Sequence, residues 1–284
     1  MNSSQASRQA GPARPTHAVR HAVAVLGAFS PAEPLLGVNE IARRIGLNRS
    51  TVSRLLQTLH ELGLVAWHEP TGQYRLGLRL AELAGVALAG LDTRDIAQVH
   101  LRRLNLVTRE TINFAIWDTD AAVIVEHYPG LEPIKALGWV GRRHPGHCTS
   151  VGKVLLAFLD EPDRTAHLSR AVRAYTSNTV TEPDRLRAEL AGVQRTGLGV
   201  NRGEFQDGLN AVAAPVWDHR GRVQAAVGVA GPAYRLTEAR MAELGAQVQE
   251  TALTISRDLG APPHVAPWTS AVSEREPVAV AGPR

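Results

Sequence analysis

Apolar residues recur along this chain first at helical spacing, then at every second position, then at both in turn. Val19, Val23 and Leu26, preceded by Thr16 as a cap, predict a first helix that Ser30-Pro31 stops. Val38–Ile45 (VNEIARRI) predicts a short second helix with Ile41 and Ile45 inward, and Gly46 supplies the tight turn that follows. Asn48 then stands where a helix N-cap is wanted. Over residues 49–62, Val52, Leu55, Leu56, Leu59 and Leu62 form one apolar stripe, which leaves Arg49, Ser50, Thr51, Ser53, Arg54, Gln57 and Thr58 largely outside it. Residues 64–68 and Gln73–Leu76 alternate as strands around a Pro70-Thr71-Gly72 turn. Helix, helix-turn-helix and hairpin in that order predict a winged helix-turn-helix over residues 16–76.

Residues 78–91 (LRLAELAGVALAGL) are helical in pattern but too apolar to stand alone in water, so they predict a linker helix, within a segment 77–91, that packs against a partner. Asp92 caps a further helix carrying Ile96, Val99 and Leu104. Alternation follows at Ile112, Phe114 and Ile116 and at Val123 and Val125, on either side of an Asp118-Thr119-Asp120 turn. Residues 134–140 predict a strand, and 151–159 and 185–194 predict helices. A hairpin is predicted over 212–217 and 223–229 around His219-Arg220-Gly221, and a long closing helix over 237–259. Strands and helices mix without βαβ regularity, so the domain over 92–259 is expected to be α+β with an antiparallel sheet. The lead-in 1–15 and the Pro/Ala-rich tail 260–284 lack periodicity and read as disordered.

Composition narrows the classes. With 284 residues the chain suits about two domains, and 44% apolar with 20% charged residues is ordinary for a packed globular protein. A single cysteine, Cys148, excludes an intramolecular disulfide, and a reducing cytoplasm is the expected location. No apolar run approaches the roughly 20 residues of a membrane-spanning helix, and the polar start MNSSQASRQA lacks the plan of a signal peptide, so no membrane partner is expected. The net charge of +4 sits at one end: residues 1–75 carry eight arginines and no lysine against four glutamates, and the rest balances at 23 against 23. The planar guanidinium fork suits phosphate and guanine edges, which makes this end a candidate nucleic-acid module. A solvated face in an Arg-rich protein carries the same excess.

A major groove accepts one helix, whose first turns meet base edges and phosphates. Arg49, Ser50, Thr51, Ser53, Arg54 and Thr58 are accordingly assigned to phosphate or base contacts, with Gln57 as an adenine reader. His68 and Arg75 are wing contacts to the minor groove or backbone; an exposed hairpin without contacts is the alternative, as is a winged helix that binds protein. Enzyme signatures fail. In GHCTSVGK (146–153) five residues separate the glycines of a would-be P-loop, and Val154 stands where Mg²⁺ needs a hydroxyl. GLGVNRG (197–203) misses the dinucleotide fingerprint by one residue. His147 beside Cys148 has no third orienting group, and a zinc site from His144, His147 and Cys148 lacks a fourth ligand. No catalytic residue, metal or cofactor is expected.

Three segments in order carry a resemblance: VNEIARRIGLNRSTVSRLLQTLHELGLV (38–65), PGHCTSVGKVLLAFL (145–159) and GVNRGEFQDGLNAVAAPVWDHRGRVQAAVGVAGP (199–232). On these the chain is similar to the IclR family of bacterial transcriptional regulators over residues 16–259. The resemblance implies a winged helix-turn-helix, a dimerising linker helix and a GAF-like effector-binding domain, assembled as dimers or dimers of dimers. Its effector contacts, carried over residue by residue, fall at Ser150, Val151, Asn201, Ala211, Gly228 and Ala230. Independently, a helix beginning near Thr149 directs free N–H groups and its positive dipole end at an anion, with Thr149 and Ser150 as hydroxyl donors; simple capping explains the same residues. Gly228 and Ala230 bring no hydroxyl, which points to a larger or less polar acid. Trp139, Phe205 and Trp217 are candidate apolar walls, or core. The expected function is a sequence-specific repressor of double-stranded DNA at a palindromic operator, controlled by a small organic acid and acting as a homodimer or homotetramer. An effector-dependent activator, an enzyme with an N-terminal interaction module and a constitutive nucleoid protein are the alternatives.

Overall fold

Of the apolar stripe predicted over residues 49–62, Val52, Leu56 and Leu59 are buried and Leu55 is half-buried, whereas Leu62, at the C-cap, is exposed; the stripe organises the first of two units into which this computed structural model divides at residues 90/91. The structure describes residues 17–30, 32–89, 92–170, 172–263 and 265. The predicted lead-in, Thr16 as a cap, Pro31, Gly90, Leu91 and most of the tail lie outside the described residues. Helix α1 (His17–Leu26) contributes Val25 to the core, whereas Val19 and Val23 face outward; the buried stripe of this helix is Ala22, Val25 and Leu26. α2 (Val38–Ile45) ends at Gly46, whose φ of 68° is the left-handed geometry that glycine accepts without strain. α3 (Arg49–Glu61) buries Val52, Leu56 and Leu59 against Val25, Ile41 and Val65.

β1 (Val65–His68) and β2 (Gln73–Leu76) form the wing hairpin, and Leu36 exchanges backbone hydrogen bonds with Tyr74 to tie it to the chain before α2. Gly77 admits no side chain, because a Cβ there would lie 2.0 Å from the Gly63 carbonyl oxygen. α4 (Arg79–Ala89) follows; Leu83 and Val86 within it and Leu78 just before it are exposed.

The second unit is a six-stranded antiparallel sheet in the order β5-β4-β3-β8-β7-β6. Its strands are β3 (Thr111–Asp118), β4 (Ala121–Tyr128), β5 (Arg143–Pro145), β6 (Gly199–Arg202), β7 (Leu209–Trp217) and β8 (Val223–Pro232). One face is covered by α5 (Asp92–Thr108) and α9 (Glu238–Asp258), the latter capped by Thr237. The other is covered by α6 (Ser150–Ala157), behind which lie α7 (Glu161–Leu168) and α8 (Pro183–Thr196). All eight residues of α6 are buried. The helix comes this close because glycines face it: a Cβ on Gly199 would stand 2.5 Å from the Ser150 carbonyl oxygen.

The strand predicted over 134–140 does not form; the edge strand is the short β5 instead. Side chains satisfy the carbonyls of that segment in place of a ladder. Thr111 Oγ1 donates to Ala136 O at 2.9 Å, Arg235 Nη2 donates to Ile134 O at 2.8 Å, and Arg142 donates to Leu137 O. The segment thereby lies across the sheet end, where Ala136 packs with Ala211 and Ala230. β6 and α7 carried no prediction.

Candidate functional site

In the first unit the chemistry lies on the outer face of α3. Asn48 Oδ1 accepts from the Thr51 amide at 2.8 Å and from Ser50 Oγ at 2.9 Å, which sets the start of the helix. The buried stripe then fixes its rotation. Arg49, Ser50, Ser53, Arg54, Gln57 and Thr58 are exposed, and Thr51 is half-buried. Thr58 Oγ1 turns back to donate to Arg54 O at 3.2 Å. On the wing, Arg75 is exposed, and half-buried His68 hydrogen-bonds Thr71 Oγ1 through Nδ1 at 2.9 Å.

Ion pairing sorts the arginine excess. Glu40 receives both Arg43 and Arg44, at 2.7 and 2.6 Å, and Arg44 also meets Glu33 at 2.7 Å. Those hydrogen bonds hold the Glu40 carboxyl below its ordinary range. Among the described residues Arg49 and Arg54 of α3 and Arg75 of the wing have no acidic partner, as is also true of Arg20 and Arg79, whereas both α2 arginines are paired. The i, i+3 and i, i+4 spacing of Glu40 to Arg43 and Arg44 already signals this in the sequence.

In the second unit, Thr149 caps α6: its Oγ1 accepts from the Gly152 amide at 3.1 Å and donates to Pro145 O at 2.8 Å. The Ser150 and Val151 amides and the Ser150 hydroxyl have no hydrogen-bond partner among the described residues. They border a small cavity of about 30 Å³ that also touches Thr149, Asn201, Ala211, Gly228 and Ala230. All seven residues assigned to the effector from the sequence are thus brought together. Sheet register explains the convergence of positions so far apart in the chain. Asn201, Ala211 and Ala230 pair across β6, β7 and β8 on one rung, and Gly228 sits opposite Asn113 on the rung two residues along, on the same face.

Gly228 does not leave room for a larger ligand, however. A Cβ there would lie 2.7 Å from Val151 Cγ1, so Val151 takes the space that the missing side chain releases. Of the three candidate aromatics, Phe205 lines the cavity. Trp139 is half-exposed with the Arg142 guanidinium 4.9 Å above its ring, and Trp217 is buried against Phe158 elsewhere on the sheet. A larger open cleft of about 430 Å³ lies outside, edged by Arg143, Arg170 and Arg173 and lined by none of the seven residues; Phe205 borders it too.

Sequence reasoning missed several members of the site. Asn113, His144 and Leu209 complete the cavity wall. Burial, with Arg142 and His127 adding to it, pushes the His144 imidazole down to about 3, so it is neutral. Beneath the cavity lies a buried ion cluster. Lys153 Nζ donates to both Glu204 oxygens, at 2.7 and 2.6 Å, and to Val200 O at 3.1 Å. Glu189 stands 2.8 Å from the same ammonium, without hydrogen-bond geometry. Burial raises the Glu204 carboxyl, against the lowering by Lys153. The Glu204 amide donates to Asn201 Oδ1 at 2.8 Å, which ties a cavity residue to this cluster. The lysine of the P-loop-like string is therefore committed to carboxylates. His147, through Nε2, bonds Arg173 O at 2.9 Å, and burial pushes the Cys148 thiol up to about 12, out of the range of a nucleophile. Among the described residues no three metal-ligating side chains gather, and no helix is long and apolar enough to cross a membrane.

Comparison with known proteins places both units. Residues 18–69 match the IclR helix-turn-helix domain, and residues 85–257 match the bacterial transcriptional regulator IclR C-terminal family. The chain is 32% identical over 245 residues to the HTH-type transcriptional regulator XynR of Escherichia coli K12, covering 86% of this chain and 97% of that protein. It is 33% identical over 246 residues to the DNA-binding transcriptional repressor YiaJ of the same organism, covering 84% and 85%. Among solved structures, an IclR homolog complexed with 4-hydroxybenzoate from Microbacterium hydrocarbonoxydans superposes with a TM-score of 0.72 at 28% identity, covering 85% of this chain and 98% of that one.

Proposed function

Because this chain belongs to the IclR family of bacterial transcriptional regulators, and is therefore a DNA-binding regulator rather than an enzyme, we propose that it is a cytoplasmic repressor. It binds a palindromic operator as a homo-oligomer and is controlled by a small carboxylate held at the head of α6. The observation that carries the reading is the sorting of charge in the first unit: α2 arginines are neutralised by Glu40 and Glu33, while Arg49 and Arg54 of α3 are left without acidic partners on an exposed polar face. That face suits major-groove entry, with Arg49, Ser50, Thr51, Ser53, Arg54, Gln57 and Thr58 as contacts and His68 and Arg75 on the wing. The exposed apolar positions Leu78, Leu83 and Val86 of the linker support dimerisation, and a two-fold dimer reads a palindrome.

For the effector, unpartnered amides at Ser150 and Val151 and the positive end of the α6 dipole favour an anion. Asn201, Ala211, Gly228 and Ala230 form the floor, with Thr149 as cap. The similar protein complexed with 4-hydroxybenzoate supports a carboxylate, and the similarity to YiaJ supports repression. Effector and operator must then alter each other's affinity by one common factor.

Selection of operators from random DNA at fixed salt tests the reading. A palindromic consensus is expected from the native protein, weakened at the corresponding bases or phosphates by Arg54→Ala. Failure to enrich any sequence, or an Arg54→Ala variant that selects the same consensus with equal affinity, overturns it.

A further inference from the structure

We propose that His144 is a specificity-determining residue of the α6 cavity, and that it selects a monocarboxylate bearing a hydroxyl or keto group. The proposal rests on the reading of this cavity as the effector site and names the ligand's second recognition point. His144 sits on edge strand β5 opposite Ala122, and its ring packs on Phe205 with centroids 5.5 Å apart. Its Nε2 is sealed from solvent and has no hydrogen-bond partner among the described residues. Buried polar atoms are almost always partnered, and one left unpaired in a cavity wall calls for an explanation. A ligand group that bonds it supplies one.

The chemistry of the wall limits that group. The His144 imidazole is neutral, so it offers one N–H and one lone pair and cannot hold a second carboxylate as an ion pair. The nearby ammonium of Lys153 is occupied by Glu204 and Glu189. Among the described residues no cationic side chain lines the cavity, whose polar side chains are Asn113, His144, Thr149, Ser150 and Asn201. The α6 amides therefore provide one anion seat, and His144 provides a neutral donor or acceptor. Within the cavity as it stands, a second negative charge meets no cationic side chain among the described residues. At about 30 Å³ the cavity holds little more than a water molecule, and Phe205 borders both it and the outer cleft. Entry of an organic acid accordingly displaces Phe205, the ring that covers His144.

Calorimetric titration of the full chain with paired acids tests this: lactate against propionate, 3-hydroxybutyrate against butyrate, hydroxybenzoates against benzoate. For the best-binding pair, the hydroxylated member is expected to bind at least about tenfold tighter, since a site with an unpaired polar group discriminates strongly against a ligand that leaves it unpaired. His144→Phe should reduce that preference to within about twofold while still binding the deoxygenated acid, and His144→Gln should retain part of it. An undiminished preference in folded His144→Phe or His144→Gln overturns the proposal and leaves the effector reading intact. If none of the acids binds the native protein, the effector reading itself fails and His144 loses its role with it.

Discussion

Removing the ammonium of Lys153 should unfold the second unit far more readily than any surface change. Lys153 and Glu204 are 4% and 6% exposed, and four contacts of 2.6–3.1 Å bind the ammonium to Glu204, Glu189 and Val200. Lys153→Met keeps most of the side-chain volume but leaves a buried carboxylate without its counter-charge, at a cost of about 3–5 kcal/mol. With a urea m-value of about 2.5 kcal/mol/M, that is a drop of roughly 1–2 M in the unfolding midpoint at pH 7. Tryptophan fluorescence reads it, because Trp117, Trp139 and Trp217 all lie in this unit.

The loss must also depend on pH. Burial already raises the Glu204 carboxyl, and removing Lys153 removes the group that lowers it. The folded state then binds a proton that the unfolded state releases near pH 4.3, so stability falls as pH rises above that value. The deficit of Lys153→Met should therefore shrink towards pH 4.5, and Glu204→Gln in the same chain should recover most of it. A deficit under about 1 kcal/mol at pH 7, or a double variant no better than the single one, would refute the view that this cluster is an uncompensated charge once its cation is gone.

Three further outcomes follow from other parts of the molecule. Arg54→Ala should weaken operator binding by about 1–3 kcal/mol in fluorescence anisotropy at fixed salt, whereas Arg43→Ala, whose charge Glu40 already balances, should change it less than about threefold; equal losses would remove the charge-sorting argument. Gly228→Ser should destabilise by about 1–3 kcal/mol, because its Cβ would lie 2.7 Å from Val151 Cγ1, and Val151→Ala should restore the melting temperature; an unchanged melting temperature in Gly228→Ser would show the contact yields freely. His144 is held down to about 3 by burial, so the unfolded chain takes up its proton near pH 6.5 while the folded chain does not. Stability is lost as pH falls from about 6.5 towards 3, and the urea midpoint of His144→Phe should fall less steeply from pH 7 to 5 than that of the native protein; parallel slopes would contradict it.

The two units were legible to different depths. Local rules sufficed for the first: the stripe Val52, Leu56 and Leu59, the Asn48 cap and the left-handed Gly46 each act within a few residues, and each formed where its pattern placed it. In α1 the same periodicity misled, since Val19 and Val23 share helical spacing with Leu26 but the core takes Ala22 and Val25. Several interchangeable apolar faces exist on a helix with few polar positions, and only its neighbours choose among them.

In the second unit the alternation of β3 and β4 and the hairpin β7–β8 could be read directly, because a half-buried or buried strand writes its period into the chain. Residues 134–140 are as apolar as a strand. Two of their carbonyls are bonded by Thr111 and Arg235, 25 and 101 residues away, and no local pattern records such partners. Lys153 was visible within a glycine-rich string, but Glu204, 51 residues further on, decides what that ammonium does. His144 stood out in the sequence only as a would-be zinc ligand and not as part of the cavity, since its burial follows from the pairing of a three-residue edge strand and the packing of Phe205. The order and type of the main elements, the arginine-rich end and the cap at Thr149 belong to the sequence alone, because period, capping and charge act over a few residues. Which polar groups are buried, which are paired and which are left facing the cavity was decided only by tertiary structure, because those states depend on chain segments brought together from tens of residues apart.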